Sequence, residues 1–247
     1  MRLFGLVCVS AYCLASVVVG IRLVLLARRT RELPELMIGS CFLSGGAIGY
    51  PASVAVVLMP PGFLAAAKPV AWAAAVGLAV AAACMLVAWW RIYHPASRWA
   101  PWAVSLWSAL LAAVCVIQAV RPVAEIAIGA SPWAPLRVIV QGGAYAAIAW
   151  SGFRYHALLR RRLRLGLADP VITNRIWLWN IAASAVTLQY SYSLAAPYLD
   201  SLFDAVSAAP AFVGTLGVLI AVCITHAFYP PQGYLRWIKR RAGVEAG

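Results

Sequence analysis

Apolar runs long enough to cross a bilayer recur along almost the whole chain, and the short intervals between them hold most of its charge. A helix rising 1.5 Å per residue needs about 20 such residues to cross the hydrocarbon core. No water is present there to satisfy backbone N–H and C=O groups, so each run must fold as a helix that satisfies its own. The runs fall at about residues 3–27, 36–58, 69–90, 101–120, 136–153, 176–199 and 211–229. The expectation is an all-α polytopic membrane protein, a seven-transmembrane-helix bundle over residues 1–231 with a basic amphipathic tail over 232–247.

Composition excludes the soluble alternative. Of the 247 residues, 64% are hydrophobic and 11% are charged, where a soluble domain carries about 25% charged residues. Seven spans with short loops leave no room for a separate soluble domain. The first run is too long for the apolar segment of a signal peptide and reads as an uncleaved span. Arg22, near its end, is placed to reach the headgroups along its own stem.

The net charge of +13 is explained by the loops that hold it. One side collects Arg28, Arg29, Arg31, Arg91, Arg98, Arg154, Arg160, Arg161, Arg162, Arg164, Arg175, Arg236, Lys239, Arg240 and Arg241; the other holds Arg2, Lys68, Arg121 and Arg137. The excess of cations on cytoplasmic loops then predicts an outer N-terminus and a cytoplasmic C-terminus. The expected location is a plasma membrane, such as the bacterial inner membrane, with an anionic cytoplasmic leaflet as the first partner. No nucleic-acid partner is expected.

The longest polar interval, Phe153 to Arg175, carries a pattern beyond its charge. Leu158, Leu159 and Leu163 continue a helical series past the membrane, and Gly166 is a suitable stop. Asp169-Pro170 then reads as an N-cap followed by a first-turn proline. Two helices joined by this short turn would present Arg160, Arg161, Arg162 and Arg164 rigidly, as a docking face for an acidic cytoplasmic protein. In the tail, Leu235, Ile238 and Ala242 oppose Arg236, Lys239 and Arg240, as in a helix lying on an anionic leaflet. Pro230-Pro231 with Tyr234 and this tail resembles the end of a seven-helix receptor over about a tenth of the chain.

In the second run, Gly39, Gly46, Gly49 and Ser53 share one face, which lets a neighbouring helix approach closely. The sixth is the most polar, with Asn180, Ser184, Thr187 and Ser191 on one predicted inward face. The threading brings Tyr50, Gln118, Gln141, Tyr145, Gln189, Tyr190 and Tyr192 to similar depth in the outer half of the bundle. Amides and phenols left unpaired in hydrocarbon cost on the order of 1–3 kcal/mol each, so they must pair with one another, with water or with a ligand. They form a candidate outer pocket.

No catalytic, cofactor or metal motif stands out. The six cysteines lie in apolar runs without a Cys-x-x-Cys pair and read as packing residues. His94, His156 and His226 gather near one face, but the His-x-x-x-His pair and acidic partners of seven-span zinc hydrolases are missing. The expected role is receptor-like or regulatory. A small-solute carrier or channel is the alternative, although no span holds an Asp or Glu to couple ions.

Overall fold

The computed structural model describes residues 2–63, 67–120, 133–199 and 205–241, which form helices and no strand. Helix α1 spans Arg2–Thr30. It ends where Arg31 turns left-handed at φ 59° and its N–H bonds back to the Ala27 carbonyl at 2.8 Å. Pro34 sits in the first turn of α2 (Leu33–Cys41), the position where a missing N–H leaves no intrahelical bond unmade.

The hydrogen-bond ladder then widens to a π-helix over Phe42–Gly49 and returns to α geometry as α3, Tyr50–Leu58. Both junctions stay in the right-handed helical region, with Cys41 at φ −59° and ψ −47° and Gly49 at φ −63° and ψ −50°. Residues 33–58 are therefore one continuous helix with a loosened middle. A 3₁₀ turn at Pro61–Phe63 follows.

Helix α4 spans Lys68–Tyr93 and α5 spans Ala100–Ala119. The long α6 covers Ala134–Arg164, α7 covers Pro170–Leu199, α8 covers Ala205–Phe228 and the short α9 covers Gln232–Arg241. Helix α6 packs along α7, α7 along α8, and α8 against α1; α4 packs against α2, the π segment, α5 and α6. The alanine-rich α4 sits at the middle, with Ala81 and Ala82 at 0% exposure. Small residues let it be surrounded: a Cβ at Gly77 would lie 2.7 Å from the Ser44 carbonyl oxygen and 2.9 Å from the Gly49 backbone. Such close backbone approach replaces the hydrophobic drive that lipid removes.

Four helical stretches are long and apolar enough to cross a bilayer: Val7–Thr30, Lys68–Tyr93, Ala100–Gln118 and Ala211–Phe228. Helix α5 shows most plainly what surrounds them, since Trp102, Leu106 and Val116 are 78%, 66% and 64% exposed. Large apolar side chains in such density on an outer face mark a membrane protein. The seven expected spans are not all of this kind. The second run is divided by its π-helical middle, and α6 and α7 carry Arg137, Gln141, Asn180, Gln189 and several tyrosines, which lower their apolar character.

The connector between α6 and α7 is built as a rigid turn. Leu167 N–H bonds the Arg162 carbonyl at 2.9 Å and Gly166 N–H bonds the Leu163 carbonyl at 3.0 Å, with Gly166 at φ 71°. This is a Schellman stop, and glycine adopts its left-handed position without a Cβ penalty. Asp169 then caps α7, its Oδ1 accepting from Val171 N–H at 2.7 Å. Helix α9 docks against α7: Ile238 is buried, and Asn174 Nδ2 donates to the Tyr234 hydroxyl at 2.9 Å.

Candidate functional site

The polar residues of the bundle interior converge on a group of four tyrosines. Tyr12 of α1 meets Tyr50 of α3 edge to face at 5.3 Å, and Tyr145 of α6 stacks on Tyr190 of α7 at 6.1 Å with rings 18° apart. Cys41 joins the pairs, with its Sγ 3.9 Å from the Tyr145 hydroxyl. Tyr12 in turn lies within electrostatic range of Cys41, Tyr50 and Tyr190.

Helix α6 supplies a stripe to this group. Arg137, Gln141 and Tyr145 follow at intervals of four residues, which stacks them on one helix face. Arg137 is half-buried and lies within electrostatic range of Tyr190. Gly142, beside Gln141, lets Tyr190 come close, since a Cβ there would sit 2.8 Å from the Tyr190 Cβ. On α1 the same four-residue spacing places Ser16, fully buried against Gly46, one turn from Tyr12.

Walls from α1, α2, α3, α6 and α7 enclose these side chains, yet Tyr12, Tyr50, Tyr145 and Tyr190 each keep part of their surface accessible. Gln141 is 2% exposed. Nearly every polar group here can donate a hydrogen bond, and none is a carboxylate.

The candidate pocket residues thus divide. Tyr50, Gln141, Tyr145 and Tyr190 come together. Gln118 does not: it lines a separate apolar groove of 560 Å³ between α4 and α5, with Lys68, Ala75, Ala79 and Cys115. Gln189 donates to the Val213 carbonyl of α8 at 3.1 Å, and Tyr192 stacks on Phe212 of α8 at 4.4 Å. Tyr12, Ser16 and Cys41 are the members that sequence reasoning missed. The Tyr12–Ser16 interval was the available signal, hidden in a run read only for its hydropathy.

Along the polar face of α7, Asn180 is fully buried and Ser184 half-buried. Thr187 returns its hydroxyl to the Ala183 carbonyl at 2.9 Å, and Ser191 is exposed. At the far end of α6, Arg160, Arg161, Arg162 and Arg164 are all exposed, while Leu159 is buried beneath them. Arg22 is exposed and rests over the Tyr229 ring at 4.4 Å.

The histidines are held apart by different partners. His94 packs with Trp89 and Trp99, His156 with Trp177, and His226 with Tyr234. Among the described residues no three His, Cys, Asp or Glu side chains gather as metal ligands would. The chain matches no protein-family model, no curated protein and no solved structure.

Proposed function

We propose that this is a receptor-like or regulatory membrane protein, in which an outward-facing pocket takes a small molecule or lipid and a basic cytoplasmic face passes the result to an acidic partner. In this reading the chain crosses the membrane seven times, from an outer N-terminus to a cytoplasmic C-terminus, with the pocket in its outer half. The continuous helix over residues 33–58 and the charge asymmetry of the loops support that threading.

One observation carries the functional reading. The same unbroken helix, α6, holds the pocket stripe Arg137, Gln141 and Tyr145 near one end and Arg160, Arg161, Arg162 and Arg164 at the other. Its 31 residues give a rod of about 45 Å. A ligand that changes the packing of Tyr145 on Tyr190 shifts α6 against α7, and the tight Gly166–Asp169 connector transmits the shift to the arginines. The π-helical stretch beside the pocket supplies a wall whose hydrogen bonds are already loosened, a feature frequent at functional sites.

The test is hydrogen–deuterium exchange of residues 154–175 in nanodisc-embedded protein, titrated with neutral and charged amphiphiles. The expected result is that one class changes exchange in the connector of the wild type, and that Tyr145→Phe with Tyr190→Phe removes the change. A connector indifferent to every class would sink the reading. Reporter fusions after Lys68 and after Arg162 on the same side of the membrane would overturn the threading.

The carrier reading draws on Asn180, whose buried amide has no hydrogen-bond partner among the described residues and would serve a passing polar solute. Solute flux in proteoliposomes that disappears in Asn180→Leu would favour it.

A further inference from the structure

Among the described residues, α4 and α5 leave between them a groove of 560 Å³, and both helices are long and apolar enough to cross a bilayer. We infer that this groove holds one acyl chain of an anionic phospholipid, with the phosphate of its head group at Lys68 and its second chain left in the bilayer. The site is separate from the tyrosine group and does not depend on the role proposed above.

The sequence shapes the groove. Ala71, Ala75, Ala79 and Ala83 recur every four residues and so stack along one face of α4. Ser108, Ala112 and Cys115 line the facing side of α5. Small side chains on both helices leave a trough where bulky ones would interdigitate. Its floor is closed by buried Leu111 and by Cys115, whose Sγ donates to the Ala75 carbonyl at 3.5 Å. Trp72, Val76 and Val80 on one side and Val116 and Val120 on the other are exposed, so the trough opens outward among apolar side chains.

Its dimensions select the occupant. From Lys68 to Ala83 the groove runs about 22 Å at 1.5 Å per residue, more than the roughly 15 Å that one leaflet contributes to the hydrocarbon core. Spread over that length, 560 Å³ gives a mean cross-section of about 25 Å², whereas a helix 10 Å wide needs about 80 Å². A helix from a second copy is too broad to enter, and a single extended chain is not. Such chains surround the protein in a membrane, and a trough left empty would forfeit the dispersion contacts of its lining.

One end of the groove specifies the head group. Lys68 opens α4 and Gln118 lies in the last turn of α5, which brings both polar side chains to the same end. Trp72 follows one turn further in, where an amphipathic ring marks the head-group level. The Lys68 ammonium attracts a phosphate, and the Gln118 amide can donate to a phosphate or ester oxygen. The chain then runs inward past Ala75 and Ala79 toward Ala83.

The test is native mass spectrometry of the full chain purified from nanodiscs that hold phosphatidylcholine and phosphatidylglycerol in equal amounts. The wild type is expected to retain one lipid, with phosphatidylglycerol favoured about fivefold, the preference that one basic residue near a membrane surface confers. Lys68→Gln is expected to keep one lipid and lose the preference. Ala112→Trp, which fills the groove from an exposed position, is expected to lose the lipid, whereas Ala113→Trp, exposed on the same helix outside the groove, is expected to keep it. Ala75→Leu fills the trough from α4 should Ala112→Trp fail to fold.

A wild type that retains no lipid, a lipid that survives the filling variants, or an equal loss in Ala113→Trp would end the proposal. A doubled mass that disappears in Ala112→Trp would make the groove a contact between two copies instead, and a retained free fatty acid would overturn the phospholipid assignment. No preference in the wild type, or one unchanged in Lys68→Gln, would remove the anionic head group from the site.

Discussion

Gly152 of α6 and Asn180 of α7 meet with no side chain between them: a Cβ on residue 152 would overlap the Asn180 amide oxygen. Asn180 is fully buried and, among the described residues, neither of its amide atoms has a hydrogen-bond partner. Asn180 has no exposed surface, so an amide displaced by a methyl group must move into neighbours already packed against it. Gly152→Ala is expected to destabilise the protein by about 1–3 kcal/mol, the usual range for overpacking. Adding Asn180→Ala, which removes the obstructing amide, is expected to restore most of that loss. Thermal unfolding in detergent checks both; a double variant no more stable than Gly152→Ala would show that the amide is not what Gly152 accommodates.

The second close approach lies at the centre of the bundle. Gly77 of α4 faces the Ser44 carbonyl and the Gly49 backbone, and backbone cannot yield as the tip of a side chain can. Gly77→Ala is therefore expected to lower Tm clearly, while Gly217→Ala in α8, where an added Cβ meets nothing within 4 Å, is expected to hold or raise it. Alanine at a compatible helical glycine stabilises by about 0.4–1 kcal/mol through the unfolded chain. Equal responses at the two sites would contradict the packing of α4 against the π-helical stretch.

Helical character was legible because hydropathy and loop charge are properties of local sequence. The Gly166 stop and the Asp169 cap were legible for the same reason, each being decided within a few residues. The tyrosine group was legible only in part. Tyr50, Gln141, Tyr145 and Tyr190 were grouped by depth, but depth does not say which way a side chain faces around its helix. Gln118 at similar depth lines a different groove, and Gln189 and Tyr192 turn toward α8. Tyr12 and Cys41 escaped notice because membership depends on contacts between helices more than 100 residues apart, as the Cys41–Tyr145 pair shows. The π-helix left no clear trace in the sequence, since its glycines serve close packing equally well in α geometry.

His156 gives stability a pH dependence whose sign can be worked out. Burial lowers its pKa from the ordinary value of 6.5; the Thr173 backbone opposes this, and the nearby Arg160 charge adds to the lowering. The folded protein thus takes up a proton less readily than the unfolded chain. Stability is intact above about pH 6.5 and falls as the pH drops through that value toward the lowered folded pKa. His156→Gln is expected to flatten the part of the Tm profile that lies between pH 7 and pH 5. A profile unchanged by the substitution would assign the slope to another group.

The connector itself can be loosened at two points without touching the arginines. Asp169→Ala removes the acceptor for Val171 N–H and is expected to cost about 1 kcal/mol. Gly166→Ala places a Cβ at φ 71°, and the left-handed conformation costs an L-residue about 1–2 kcal/mol. In both variants Arg160, Arg161, Arg162 and Arg164 remain present. Proton exchange at residues 163–171 is expected to rise in each, while exchange along Ala144–Ala149 in the core of α6 stays unchanged. If the connector acts as a rigid link between pocket and basic face, a ligand response seen at Arg160–Arg164 in the wild type fades across the Asp169→Ala boundary into α7. If the response persists undiminished through α7, the two helices communicate along their packed length and the turn is only a covalent tie.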